Sequence, residues 1–384
     1  MESRTNKIDI WILIPVLALI AFSLAVVYSA SSSWSAKMNG DSSYLFKHHL
    51  IRAIIGIVMI FIFARVDYRY LISFRKFLFG LAVILLLFLL VAGVETTKGA
   101  ARWIKIGGFS FQPADFVKYT LIINLAYLLA KKKEYIDNLY YGYLPLLVYV
   151  ILIVSLIAIQ PNFSTASTIF ISSMMLFYIG KVRVKHIFLT LASMIPVAVL
   201  FILSKQYIIN RIFAYQEQTN GGEGNYQVSQ AIIGFGNGAF FGVGPGNSNQ
   251  KDFFLPQSYD DFVYSIVGEE YGFIGAVLVI VLLLVFVYRG LKLAKTVEDD
   301  FGRYLAFGFV VVIGLNAVIN MMVATGIIPT TGVTLPFMSY GGTSIIFNSI
   351  AVGILLNIST HREGLKTSWW HRKASEVEVN DIDE

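Results

Sequence analysis

Hydrophobic and polar positions alternate along this chain in blocks, not in the short periods of amphipathic helices or half-buried strands. Apolar runs of roughly 20 residues, the length that crosses a bilayer as a helix, are separated by polar connections. Ten such segments are predicted, at about 10–30, 49–66, 76–94, 113–130, 142–160, 163–180, 186–205, 262–288, 303–325 and 342–360. The expected fold class is an all-α polytopic membrane protein with ten transmembrane helices. One membrane domain covers residues 1–362, and the acidic tail 363–384 reads as disordered and cytoplasmic.

Two stretches break the pattern. The connection 206–261 is long and polar, with nine glycines between Gly221 and Gly246. Its apolar runs, Ile232–Phe235, Phe240–Phe241 and Phe253–Leu255, predict short helices packed at the membrane surface. The stretch TGIIPTTGVTLPFMSYGGTS, residues 325–344, has two prolines, four glycines and no charge. Such backbone at membrane depth is tolerated only inside protein or along a cavity, so a re-entrant or cavity-lining hairpin is expected there.

Composition agrees with the blocks: 56% hydrophobic, 14% charged, mean hydropathy +0.68, far from a soluble domain. Cysteine is absent, which removes disulfides and thiol chemistry. The five histidines are dispersed and suggest no metal site. The net charge of +6 does not point to nucleic acid, because the cations sit where topology needs them. One set of connections and both termini hold twenty of the 30 Lys and Arg residues. The other set holds eight: Lys37, Lys47, Lys98, Arg102, Lys105, Lys205, Arg211 and Lys251. This bias places both termini in the cytoplasm. Ile8–Ala30 reads as a first anchor and not a cleaved signal. The glycines of GFGNGAFFGVGPGN lack the flanking strand and the Lys-Ser pair of a nucleotide loop.

Ionisable residues within spans cost roughly 2.5–3.5 kcal/mol on insertion scales and mark candidate sites. LPQSYDDFVYSIVGEEYG, residues 255–272, supplies four. Asp260 and Asp261 stand at a helix start, where either could cap the first turn; Asp261 could also be a general base at the outer interface. Glu269 returns to the face of Asp261 and could share its cavity. Glu270 needs a partner on another helix, Lys118 or Arg52. Upstream, ARWIKIGGFSFQPADFVK places Arg102 and Lys105 before Gln112-Pro113, with Pro113 suited to a first helical position. Cations beside a helix N-terminus suit a phosphate. QPNFSTAST, containing Asn162, reads as a tight outer turn with helix-capping residues. A carboxylate beside cations on the outer side suits sugar transfer from a lipid pyrophosphate, although composition and charge alone allow a transporter with an acidic coupling site.

These stretches, together with GNGAFFGVGPGNSNQK, resemble the SEDS family (shape, elongation, division and sporulation) over about residues 8–362. GVGPGNSNQK and GVTLPFMSYGG are closer to its division branch than to its elongation branch. The resemblance implies the SEDS fold and a peptidoglycan glycosyltransferase of the bacterial cytoplasmic membrane, acting at the division septum. The substrate implied is lipid II, polymerised at the outer face. The catalytic aspartate implied is Asp261, from Leu255-Pro256 followed by Asp261-Phe262. The substrate-binding residues are Arg102, Lys105, Gln112, Lys118, Glu269 and Ser339. No cofactor or metal is implied, with a divalent cation left open. The implied partners are a class B penicillin-binding transpeptidase and other division membrane proteins, with no nucleic acid. A lipid II flippase is the alternative. Departures from the family pattern are Ala114-Asp115 for Ser-Glu, Asn162 and Ser164 for Asp and Gly, and an added acid, Asp260.

Overall fold

The computed structural model describes residues 8–91, 102–106, 109–219 and 226–361; Lys98 and the tail 363–384 lie outside them. Each of the ten apolar segments falls on one helix. These are α1 (Ile10–Asn39), α2 (Tyr44–Arg65), α3 (Tyr70–Val91), α4 (Pro113–Lys131), α5 (Leu144–Ile159), α6 (Phe163–Ile179), α7 (Val184–Leu203), α10 (Val263–Thr296), α11 (Asp300–Ala324) and α12 (Ser344–Thr360). α8 (Gln206–Thr219) and α9 (Tyr226–Gly238) lie in the connection between α7 and α10.

The expected helical class holds, with one short hairpin added. β1 (Ile104–Ile106) pairs antiparallel with β2 (Phe109–Phe111), Lys105 opposite Ser110. Ile-Lys-Ile and Phe-Ser-Phe alternate with period two around a Gly-Gly pair, a hairpin signal too short to register against 20-residue apolar blocks. Among the described residues, seven helices can cross a membrane by length and composition: α1, α2, α3, α5 with its preceding turn, α7, α10 and α11. α6 and α12 are shorter apolar helices, and α4 buries Asp115, Lys118 and Asn124.

α11 is the hub, packed on α4, α6, α10 and α12. Around it α2 pairs with α12, α3 with α4, α5 with α6, and α10 with α1. Lipid tails are as apolar as leucine, so helix association in a bilayer rests on close packing and interhelical hydrogen bonds. Gln160 Nε2 donates to the Leu86 carbonyl of α3 at 2.9 Å. Asn357 on α12 accepts from Tyr68 N at 3.0 Å and donates to the Ala64 carbonyl at 3.1 Å. At the start of α1, Asp9 takes both oxygens to Arg289 of α10, at 3.0 and 2.8 Å.

The glycine-rich connection is built for close approach. A Cβ on Gly238 of α9 would stand 1.9 Å from the Gly268 carbonyl of α10. α10 itself breaks at Gly272 (φ 64°, ψ −161°), where a Cβ would meet Gly242 N at 2.4 Å. The loop after α9 repairs that break: Val243 N donates to the Glu269 carbonyl (3.0 Å), Gly244 N to the Glu270 carbonyl (3.1 Å), and Phe273 N to the Ala239 carbonyl (3.0 Å). Backbone groups freed by a helix break inside a membrane must find such partners. The far end of the connection is held by α1. Ser33 donates to Asp252, and Trp34 packs on Phe253 at 5.3 Å between ring centroids. That anchorage accounts for α1 running on to Asn39, beyond its apolar segment.

Gly272→Ala is expected to lower stability by about 1–3 kcal/mol, because it forces a side chain into a left-handed conformation against backbone. Gly80→Ala, inside α3 with nothing within 4 Å of the new Cβ, is expected to be neutral or stabilising by up to about 1 kcal/mol. Thermal unfolding of the two detergent-solubilised variants compares them directly.

Candidate active site

Asp261 lies in the turn that follows Leu255 and precedes α10, and this turn is sewn to irregular backbone from the opposite end of the sequence. Tyr340 N donates to the Tyr259 carbonyl at 2.9 Å. Ser339 Oγ donates to the Asp260 carbonyl at 2.7 Å and accepts from Leu335 N at 2.8 Å. From α11, Asn320 Nδ2 bridges the carbonyls of Asp261 and Val333, each at 2.8 Å. Ser258 Oγ donates to the Ala30 carbonyl of α1 at 3.1 Å. The backbone of Asp261 is thus fixed by α11 and the 325–343 segment, while its side chain is partly exposed. A Cβ built on Gly332 would come within 3.9 Å of its Oδ2.

The N-cap of α10 is Phe262, which makes no side-chain cap bond. Asp260 Oδ1 is buried without a hydrogen-bond partner among the described residues. Burial pushes its carboxyl well above the usual range, Asp261 and Asp115 add to the effect, and Arg52 opposes it. The Arg52 guanidinium sits 4.7 Å from the Tyr340 ring centroid.

A cavity of about 290 Å³ opens between α6, α7, α8, α11 and residues 328–331, the last of them next in sequence to Gly332. Arg102 reaches into it and donates through Nη2 to the Pro161 carbonyl. Arg211 of α8 lines it too, its Nη1 3.1 Å from the Thr330 carbonyl. Thr330 and Thr331 form one border, directly preceding the Gly332 that faces Asp261. Isoleucines 202, 208, 212, 319 and 328 supply an apolar wall. Asn162 also faces this cavity. It occupies the N-cap of α6 and accepts there through its backbone carbonyl from Ala166 N, whereas its buried side chain makes no cap bond.

The other expected site residues are distributed around this centre. Gln112 is the N-cap of α4, with Pro113 at the first helical position, and its N–H donates to Thr343 Oγ1 at 3.1 Å. Lys118 is buried and paired with Asp115 at 2.8 Å, and Asp115 also accepts from Thr343 Oγ1 at 3.2 Å. Lys105 is placed by its backbone in β1. Ser339 acts on backbone, as described. Glu269, fully buried, accepts from Asn237 Nδ2 at 3.2 Å, from the Gln250 N–H at 3.3 Å and from Ser248. Its expected common cavity with Asp261 is therefore corrected: the α9–α10 crossing draws this carboxylate to the glycine-rich loop. The expected pairing of Glu270 with Lys118 or Arg52 is also overturned. Glu270 accepts from Ser29 of α1, because α1 is the helix that covers α10 on that side. Among the described residues no cluster of three or more His, Asp or Glu side chains could hold a metal ion.

Arg211 and Asn320 carry no sequence signal of their own: Arg211 is one of eight outer cations, and Asn320 is one of two asparagines, with Asn316, in an apolar helix.

A family model described as FtsW/RodA/SpoVE cell cycle protein matches residues 10–364. A probable peptidoglycan glycosyltransferase FtsW of Trichlorobacter lovleyi is 39% identical, with 94% of this chain and 95% of that protein aligned. Stage V sporulation protein E of Bacillus subtilis is 35% identical over 94% of this chain and 99% of its own. Two solved structures share the fold. One, from work on polymerisation and crosslinking by a peptidoglycan synthase complex, has TM-score 0.76 at 24% identity, covering 92% of this chain and 98% of the other. The rod shape determining protein RodA of Thermus thermophilus has TM-score 0.69 at 23% identity, covering 93% and 98%. The fold and the matched length define a multi-pass membrane protein of the SEDS type. The chain belongs to the FtsW/RodA/SpoVE family.

The environment of Asp260 sets a pH dependence. Its folded-state affinity for a proton exceeds that of the unfolded chain, so its contribution to stability is present at low pH. That contribution is lost as pH rises above the ordinary carboxylate range of about 4 and through its raised value. In Asp260→Asn, which imitates the protonated acid, this part of the alkaline loss is expected to disappear. Thermal unfolding between pH 5 and 9 compares variant with wild type.

Proposed function

We propose that the protein is a peptidoglycan glycosyltransferase that polymerises lipid II, an undecaprenyl-pyrophosphoryl disaccharide pentapeptide, at the outer face of the bacterial cytoplasmic membrane during cell division. The observation that carries this reading is that the segment 328–332 borders both an arginine-bearing cavity with an apolar wall and, at Gly332, the side chain of Asp261, in a chain of this family.

In this reading Asp261 takes the proton from the acceptor sugar hydroxyl as its oxygen attacks the anomeric carbon of the donor. The new glycosidic bond forms as the bond from that carbon to the pyrophosphate oxygen breaks, and the leaving group departs as undecaprenyl pyrophosphate. A positioned base contributes typically 10²–10⁴-fold, and fixed cations offset the charge that develops on the leaving oxygen. Arg102 and Lys105 meet the pyrophosphate. Gln112, Lys118, Ser339 and Glu269 support the loops that carry the site. All ten long helices cross the membrane, both termini are cytoplasmic, and the protein works at the septum. A class B penicillin-binding transpeptidase crosslinks the product, in keeping with the synthase complex whose structure shares this fold.

A flippase would use the buried ionisable residues as a path for the headgroup. Lys118 is instead paired with Asp115, Glu270 with Ser29, and Arg52 lies against Tyr340. These are separate contacts.

With labelled lipid II and the transpeptidase partner, Asp261→Asn is expected to lower glycan synthesis by about 10²-fold or more, the loss of a general base. Asp260→Asn is expected to lose far less. Gel separation of the products decides, and wild-type yield from Asp261→Asn rejects the mechanism. Arg102→Ala should reduce turnover with the protein still folded, and Arg102→Lys should restore part of it, because a lysine keeps the charge and loses the fork.

A further inference from the structure

We propose that the loop after α9, which carries Phe240 and Phe241, is a membrane anchor that inserts into the leaflet at the Asp261 end of the bundle, with the acyl chains of bulk phospholipid as its partner. In the orientation proposed above this is the outer leaflet. The anchor follows from the fold alone and is independent of the reaction assigned to Asp261.

Phe241 is 78% exposed, Phe240 55%, and Phe273, the first residue after the break in α10, 59%. The three rings form one cluster. Phe240 meets Phe241 edge-on at 5.0 Å between centroids and stacks on Phe273 at 5.8 Å. Scattered exposed apolar residues are ordinary, but a contiguous group marks a contact surface. From Phe273 the exposed surface runs on along α10 through Ile274, Leu278 and Val281, within a helix apolar enough to cross a membrane. Continuity with that flank favours lipid over a protein cover. No charge occurs between Gly238 and Gln250, and past the patch the loop turns polar, with Asn247 and Asn249 exposed.

Two further features fit lipid and not water. First, the loop backbone is answered within the protein. Gly242 N donates to the Gly238 carbonyl at 2.7 Å, and the Ala239 and Phe240 carbonyls accept from Phe273 N and Ile274 N at 3.0 and 3.4 Å. The Val243 carbonyl accepts from Asn247 Nδ2 at 3.2 Å. A loop in water has no need of such pairing, whereas a loop in hydrocarbon cannot do without it. Second, the depth is right. The chain carries no charge between Asp9 and Lys37 in α1, or between Glu270 and Arg289 in α10, and Asp9 pairs with Arg289 at one end. At the other end Ser29 meets Glu270, 20 residues along α1 from Asp9. That is about 30 Å of helix, the thickness of the hydrocarbon. Phe273 lies 16 residues from Arg289, about 24 Å. The ring cluster therefore sits about 6 Å inside the boundary, a depth at which apolar faces of interfacial segments rest. Anchoring the loop there holds the crossing that repairs the Gly272 break, and with it the level at which α10 starts.

The chain has no cysteine, so one introduced cysteine carries a nitroxide label without competition. Phe241→Cys is the main variant, and Phe240→Cys gives a second reading from the same loop. Leu278→Cys, on the exposed flank of α10, and Asn247→Cys, on the polar part of the loop, are the references. Each full-length protein is placed in nanodiscs of phosphatidylethanolamine and phosphatidylglycerol. Electron paramagnetic resonance then compares collisions of the label with oxygen, which concentrates in hydrocarbon, and with a polar nickel chelate, which stays in water. The oxygen-to-nickel ratio at position 241 is expected to exceed that at 247 by about fivefold or more, because a polar solute is excluded from hydrocarbon. It should fall below the ratio at 278, which lies about 7 Å deeper. Position 240 should read as 241 does. The proposal is overturned if the ratio at 241 or 240 equals that at 247, which would put the loop in water. It is equally overturned if the label at 241 is shielded from both reagents, which would show a protein surface, such as a second copy of this chain, covering the patch.

Discussion

The constraint on which this structure depends is that irregular backbone within a membrane protein must find its hydrogen bonds inside the protein. Two stretches carry that burden, the turn at 255–262 and the segment 325–343, and each satisfies the other. Asn320 is the central tie, one amide donating to the carbonyls of Asp261 and Val333. Ser339 and Tyr340 add bonds to the carbonyls of Asp260 and Tyr259. A site built this way is rigid because releasing any part of it exposes polar backbone to an apolar surrounding.

The same constraint accounts for the glycine-rich connection. α10 breaks at Gly272, and the carbonyls of Glu269 and Glu270 are answered by the amides of Val243 and Gly244. That strand of loop fits only because Gly238 and Gly272 carry no side chain. Glu269 then serves as the acceptor that gathers Asn237, Ser248 and Gln250. The break, the loop and the carboxylate form one unit that sets where α10 begins, and so where Asp261 stands.

Chemistry is divided by environment. Asp260 and Asp261 are chemically identical neighbours and both partly exposed, yet one oxygen of Asp260 is buried and unpartnered among the described residues, while the side chain of Asp261 lies near Gly332. Burial disfavours the charged form of Asp260. Cations are placed differently too: Lys118 pairs with Asp115 in the interior, and Arg102 and Arg211 line a cavity.

Sequence by itself determined the helices, because a span of roughly 20 apolar residues is a local property and needs no partner to be recognised. It also determined Pro113 at the start of α4 and the motif that contains Asp261. It did not determine partners. Glu270 was matched to distant cations by charge, and the fold gave it Ser29, because helix order around α10 decides which side chain lies opposite. Glu269 was given to Asp261 by helical periodicity, and the α9 crossing took it away. Arg211 was one cation among eight until α8 folded back over the 325–343 segment. Pairings of this kind depend on which helices touch, and in a bilayer that is settled by close packing and interhelical hydrogen bonds that apolar pattern alone does not encode.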